Sequence, residues 1–179
     1  MALGKRSNLV PSPHGTLAWL AVVRAYNLCD SVMAVRLGAL GLNVGEHEVL
    51  ANLATTPGIT QQELAIRCFV AKSGVSMLVT RMADQGLVAR EGDATDARVK
   101  RLFLSASGEA LAKKTLRIQA EVVGAMASAV SDGELDQVAD VMQRVSLQLE
   151  SLRQQPLVGS TSKPKPLISP RFGKASSRR

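Results

Sequence analysis

Three groups of side chains in this sequence could do chemistry. The first is a histidine between two acids, Glu46-His47-Glu48. A solvent-facing residue, a metal ligand and a small-molecule contact all fit His47, but one HxE without further His or Cys neighbours falls short of a metal-ligand set. The other histidine, His14, sits near the start of the chain. The second group is two cysteines, Cys29 and Cys68. Their spacing suits neither a metal site nor a disulfide framework. Each reads as a small core hydrophobe or as an oxidant sensor, which would need a lowered thiol pKa. No phosphate-cradling glycine loop and no Gly-x-Ser-x-Gly is present. Enzymatic activity and a cofactor are therefore not expected. The third group lies between residues 72 and 101, where hydroxyls and cations alternate with apolar positions, and its chemistry would be nucleic-acid recognition.

The elements that must position this third group occupy residues 60–104. Thr60 with Glu63 is a capping box that starts a helix, in which Leu64, Ile66 and Cys68 are the expected inner face. A turn passes through Phe69 and Val70. A second helix is expected from about Lys72 to Gln85, because Val75, Leu78, Val79 and Met82 recur at three- and four-residue spacing. That leaves Lys72, Ser73, Ser76, Met77, Thr80 and Arg81 on its outer face. Gly86 ends it as a C-terminal cap. Leu87 and Val88 begin a strand, Val99, Leu102 and Leu104 belong to a returning one, and Gly92, Asp93, Asp96 and Arg98 lie in the turn: a wing. The major groove of B-DNA, about 12 Å wide, admits one such helix. Arg98, held by Asp96, is the candidate for the minor groove, with Lys100 beside it.

These residues resemble the wing signature of the MarR-type (multiple antibiotic resistance regulator) transcription factors. The matching positions are Gly86-Leu87, Arg90, Asp96-Ala97-Arg98 and Leu104-Ser105-Ala106-Ser107-Gly108, with Ser105 in place of the usual Thr. The similarity runs over roughly residues 15–153. It implies a mainly α fold with a small β-wing: a winged helix-turn-helix carried on dimerisation helices. It also implies a homodimer on double-stranded DNA with a palindromic operator, and a small-molecule effector. The family's effector cleft lies between the dimerisation helices and the winged helix. The resemblance places Trp19, Val23, Arg24, Tyr26, His47, Glu48 and Arg90 there, although Trp19 and Tyr26 also suit ordinary packing. One urate-responsive subgroup similarly has a Trp on the first helix, an acid in the second and an Arg before the wing. It departs from this chain by a further Arg on the recognition helix, where Leu78 stands. An aromatic or heteroaromatic acid is then the looser expectation, its charge paired by Arg24 or Arg90.

Composition agrees with a helical protein: of 179 residues, 46% are hydrophobic and only 3% aromatic. Net charge is +7, with a pI near 9.9. Six of those seven charges come from Lys163, Lys165, Arg171, Lys174, Arg178 and Arg179, in a tail after Gln155 that has no acid. Global charge therefore says little about DNA, and the weight falls on the outer helix face and on Arg90, Arg98, Lys100 and Arg101. No run of about 18 uncharged apolar residues spans a membrane, the start of the chain lacks a signal-peptide core, and a cytoplasmic location is expected.

The expected organisation is a flexible segment 1–14, a dimerisation helix within 15–44, the winged helix-turn-helix over 45–105, C-terminal dimerisation helices over 106–154, and a disordered basic tail from 155. The first helix carries apolar residues on more than one stripe, from Leu17, Leu20, Val23 and Leu28 round to Trp19, Val22, Tyr26, Cys29, Met33 and Leu37. Two covered faces are needed, one of them by a partner subunit or a ligand cleft. Ser131 with Glu134 is a second capping box, opening the last helix. The leading function is a ligand-released repressor. The alternatives are a cysteine-based redox regulator of the same fold and a protein-interaction module without DNA binding.

Overall fold

The computed structural model describes residues 12–155, apart from residues 69–71, 94, 95 and 97. The turn through Phe69 and Val70, the N-terminal segment as far as residue 11 and the basic tail from residue 156 lie outside the described residues. Six helices and a three-stranded antiparallel sheet follow in the order α1 Pro13–Gly38, α2 Val44–Thr55, β1 Ile59–Thr60, α3 Gln61–Arg67, α4 Lys72–Asp84, β2 Val88–Gly92, β3 Lys100–Leu104, α5 Ala106–Ala127 and α6 Asp132–Gln154.

Local chemistry sets most of these ends. Thr60 and Ser131 each accept the backbone N–H of a glutamate three residues on, and that glutamate returns a bond to the cap's own N–H. The same bonds hold the Glu63 and Glu134 carboxyls below the usual carboxylate range. Asn43 and Glu46 form a third such box at the start of α2. Each N-cap stabilises its helix by about 1 kcal/mol. Gly86, at φ +70°, ends α4 as a left-handed cap. Its N–H donates to Ala83 O and that of Leu87 donates to Met82 O, which satisfies two helix-end carbonyls.

The sheet runs β1-β3-β2. Ile59 pairs with Leu102, and Val88 to Gly92 pair with Leu104 back to Lys100. Val99, expected in the returning strand, precedes it. The sheet's inner residues meet one core built from Val49, Leu50 and Leu53 of α2, Leu64 of α3, Val75, Val79 and Met82 of α4, and Ala112 of α5. Ile66 is a correction: it is exposed, while Leu64 and Ala65 are buried. Residues 64, 65 and 68 share one side of a short helix, and position 66 lies 200° round from 64.

Only the C-terminal half of α1 joins this core, through Met33 and Leu37. An Arg36–Glu121 ion pair, 2.7 Å and exposed on both sides, adds a surface link to α5 that contributes little to stability. No residue of α6 is buried.

Candidate nucleic-acid interface and adjoining cleft

Along α4, Ser73, Ser76, Met77 and Thr80 are all exposed. Their spacing of three, four and seven residues makes one continuous stripe, opposite the buried Val75, Val79 and Met82. Lys72 is the first residue of that helix, but its side chain lies outside the described residues. Beside the helix, β2 and β3 form the wing. Asp96 holds the turn by accepting the backbone N–H of Arg98 at 2.9 Å, so it fixes the main chain rather than gripping the guanidinium. Asp96, Arg98 and Lys100 are exposed.

Three expected cations have protein partners instead. Arg81 pairs with Glu46 at 2.9 Å, and that glutamate is 6% exposed. Glu46 already caps α2, so one carboxylate ties the recognition helix to the first turn of α2. Arg90 donates to Thr80 Oγ1 at 2.7 Å, which places it against α4 and away from the cleft where the resemblance put it. Arg101 pairs with Asp93 and also donates to Gly58 O, stapling the wing to the turn before β1. Of the wing cations, Arg98 and Lys100 are therefore the two presented outward.

Behind this face, α1, α2 and α5 enclose a cleft of about 160 Å³ lined by Tyr26, Cys29, Asp30, Met33, Val44, His47, Glu48, Gln119, Val122 and Val123. Of the expected ligand contacts, Tyr26, His47 and Glu48 are brought together here; Trp19, Val23, Arg24 and Arg90 do not line it. Trp19 lies two turns from Tyr26 and is 62% exposed. Asp30 and Gln119 were missed, since nothing in sequence brings α5 to His47.

His47 does not face solvent: it is 1% exposed and its Nδ1 has no hydrogen-bond partner. Burial lowers its pKa, partly opposed by a hydrogen bond with Gln119. Burial also raises the pKa of Glu48. Among the described residues no group of His, Cys, Asp and Glu suits a metal ion.

The His47 shift has a measurable consequence. Between the depressed folded pKa and the ordinary value near 6.5, the unfolded chain binds the extra proton, so stability rises with pH. The His47 contribution is complete above about pH 6.5 and is lost as pH falls through the folded value. Urea melts should show the wild type losing stability relative to His47→Asn between about pH 7 and pH 5. A parallel pH dependence in the two proteins would refute the burial argument.

Cys68 accepts a hydrogen bond from Asn52 at 3.6 Å. Burial, and then the Glu48 charge, push its thiol up to about 11. That is the reverse of what an oxidant sensor needs. Cys29 is half-buried in the cleft wall.

Residues 40–99, which carry the recognition helix and most of the wing, match the family model described as MarR family. Over that third of its length the chain resembles the MarR family. Its members are transcriptional regulators, and two relatives fit that description. An uncharacterised HTH-type transcriptional regulator of Bacillus cereus is 29% identical over 102 residues, covering 57% of this chain and 67% of the relative. An HTH-type transcriptional repressor of Mycobacterium tuberculosis is 32% identical over 82 residues, 46% of this chain and 59% of the repressor. The solved structure of that mycobacterial protein with salicylic acid has a TM-score of 0.58 at 22% identity, covering 76% of this chain and 98% of the other. The Staphylococcus aureus MepR–DNA complex gives 0.64 at 23%, covering 72% and 96%. Both structural likenesses concern the fold, a winged-helix architecture, and among the described residues no helix is long and apolar enough to cross a membrane.

Proposed function

We propose that this chain is a cytoplasmic homodimeric repressor of the MarR type that grips a palindromic operator and is released from it by a small molecule held in the α1–α2–α5 cleft. The observation that carries the DNA part is the exposed stripe of Ser73, Ser76, Met77 and Thr80 beside a wing presenting Arg98 and Lys100. The stripe enters the major groove, and Arg98 enters the neighbouring minor groove, where it reads width rather than base identity. The same architecture in the MepR–DNA complex supports this reading, as does the repressor name of the mycobacterial relative.

Dimerisation rests on uncovered apolar surface. Leu17, Trp19, Leu20, Tyr26 and Leu28 of α1 are exposed, as are Val138, Leu149 and Leu152 of α6. A two-fold dimer sets two recognition helices about 34 Å apart. A ligand releases the operator only if it binds the DNA-incompetent spacing more tightly than the competent one. A route for that coupling is short. His47 and Glu48 face the cleft, and Glu46, in the same helical turn, holds Arg81 of the recognition helix. The expected aromatic acid lacks its cation in this cleft, because Arg90 is engaged with Thr80 and Arg24 stands outside the lining. The effector is therefore proposed here only as a small ring compound.

Arg98→Ala tests the wing. Operator affinity in a gel-shift titration at fixed salt should fall about tenfold or more, with a shallower salt dependence from the lost cation and an unchanged dimer. Unchanged affinity would count against the wing assignment. A wild-type protein with no salt-dependent affinity for duplex DNA of its own promoter region would instead be the protein-interaction module.

A further inference from the structure

The α1–α2–α5 cleft has a definite charge and a definite unmet hydrogen bond. Two carboxylates, Asp30 and Glu48, are in its lining, and among the described residues no lysine or arginine is. His47 forms part of the wall, is 1% exposed, and leaves Nδ1 without a partner. A buried polar atom left unsatisfied is costly, and a ligand N–H that reached it would remove that cost. Met33, Val44, Val122 and Val123 supply the apolar remainder of the wall, and Tyr26 adds an aromatic face. The half-open space of about 160 Å³ is similar in size to a cavity of about 150 Å³ that holds one benzene ring.

We infer that this cleft selects a cationic amine of about one ring, with its N–H donors directed to His47 Nδ1 and to the Glu48 and Asp30 carboxylates and its ring on the apolar wall. This deepens the effector reading above and rests on it. Burial keeps the imidazole neutral, and a neutral ring can offer an unprotonated nitrogen as an acceptor. A protonated imidazole could only donate. The two acids attract an ammonium and repel a carboxylate, and among the described residues of the lining none carries the positive charge that a carboxylate would need. An aromatic ammonium also gains from the face of Tyr26. The ligand's sign is thus set by the protein's own lining, and it is opposite to that of the aromatic acid expected from the resemblance.

Benzylammonium and phenylacetate test this directly, since both carry a phenyl ring and one methylene and differ in the sign of the terminal group. Each is added to the full-length protein at pH 7.5 and matched ionic strength, with the melting temperature and the retention of a promoter-region duplex as separate readouts. Benzylammonium is expected to raise the melting temperature, as a ligand of the native state must, and to bind at least fivefold more tightly than phenylacetate. Glu48→Gln, a near-isosteric change, and Asp30→Asn, at an exposed position, should each weaken the amine by threefold or more and narrow its lead over the acid. Phenylacetate binding as well as the amine, neither probe binding, or an amine affinity untouched by both substitutions would overturn the assignment. A correct ranking with no loss of bound DNA would uphold the ligand class and sink the effector role instead.

Discussion

Gly108→Ala is expected to destabilise the fold by about 3 kcal/mol, at the upper end of what an added methyl costs in a packed site. A Cβ at this position would run into the Leu87 carbonyl oxygen, far inside van der Waals contact, with the Leu87 carbonyl carbon and Leu104 Cβ also close. The Leu87 carbonyl is not free to retreat. Leu87 O accepts the N–H of Ser105, and Leu87 N–H is spent on the left-handed cap of α4. Ser105 Oγ accepts from Gly108 N and donates to Gly86 O, which Ser107 Oγ also reaches. The knot therefore joins the end of the recognition helix, the start of the wing and the start of α5. For a chain of this size 3 kcal/mol is a fall of about 6–12 °C in melting temperature. Gly124→Ala in the same helix, where a Cβ meets nothing within 4 Å, should be neutral or stabilising by about 0.5–1 kcal/mol. Equal melting temperatures for the two variants would show that the Leu87 contact is not rigid.

The same knot explains why the fold was readable before any coordinates. The residues that marked the family resemblance at its two ends, Gly86-Leu87 and Ser105 to Gly108, are structural, and their chemistry is local: caps, a left-handed glycine and one close backbone approach. Thr60 with Glu63 and Ser131 with Glu134 were legible for the same reason, since a cap and its partner lie three residues apart. Asn43 with Glu46 obeys the same rule, but Asn43 stands between Gly41 and Gly45, where it looks like one more chain breaker. The destinations of the long side chains were not legible. Arg81 finds Glu46 across 35 positions and Arg101 finds Gly58 O across 43, so an arginine beside the recognition helix looks alike in sequence whether it faces DNA or an acid. His47 was ambiguous because its burial depends on which side of α2 meets α5. The likeness to urate-responsive relatives carried Trp19 and Arg90 to the cleft by analogy, and the Arg90–Thr80 hydrogen bond shows how one changed neighbourhood redirects a shared residue type.

Leu149→Asp should abolish the dimer at micromolar concentration and with it at least a hundredfold of operator affinity, while Leu147→Asp leaves both nearly intact. Both leucines are about equally exposed in the single chain, at 59% and 60%, so burial within one chain cannot distinguish them. The pattern can. Leu135, Val138, Met142, Val145, Leu149 and Leu152 follow one another at alternating steps of three and four, the seam a helix presents to a partner helix. Leu147 falls between seam positions. A helix with no buried residue gains nothing from its apolar positions until another helix covers them. Each covered leucine contributes about 1.5–3 kcal/mol relative to exposure, and an aspartate there adds the cost of a buried charge in both copies. Loss of the dimer removes the fixed spacing of the two α4 helices, so each half-site is then bound alone. Sedimentation and gel-shift measurements on the two variants decide the matter: equal effects from Leu149→Asp and Leu147→Asp would mean that α6 contributes bulk hydrophobicity rather than a register.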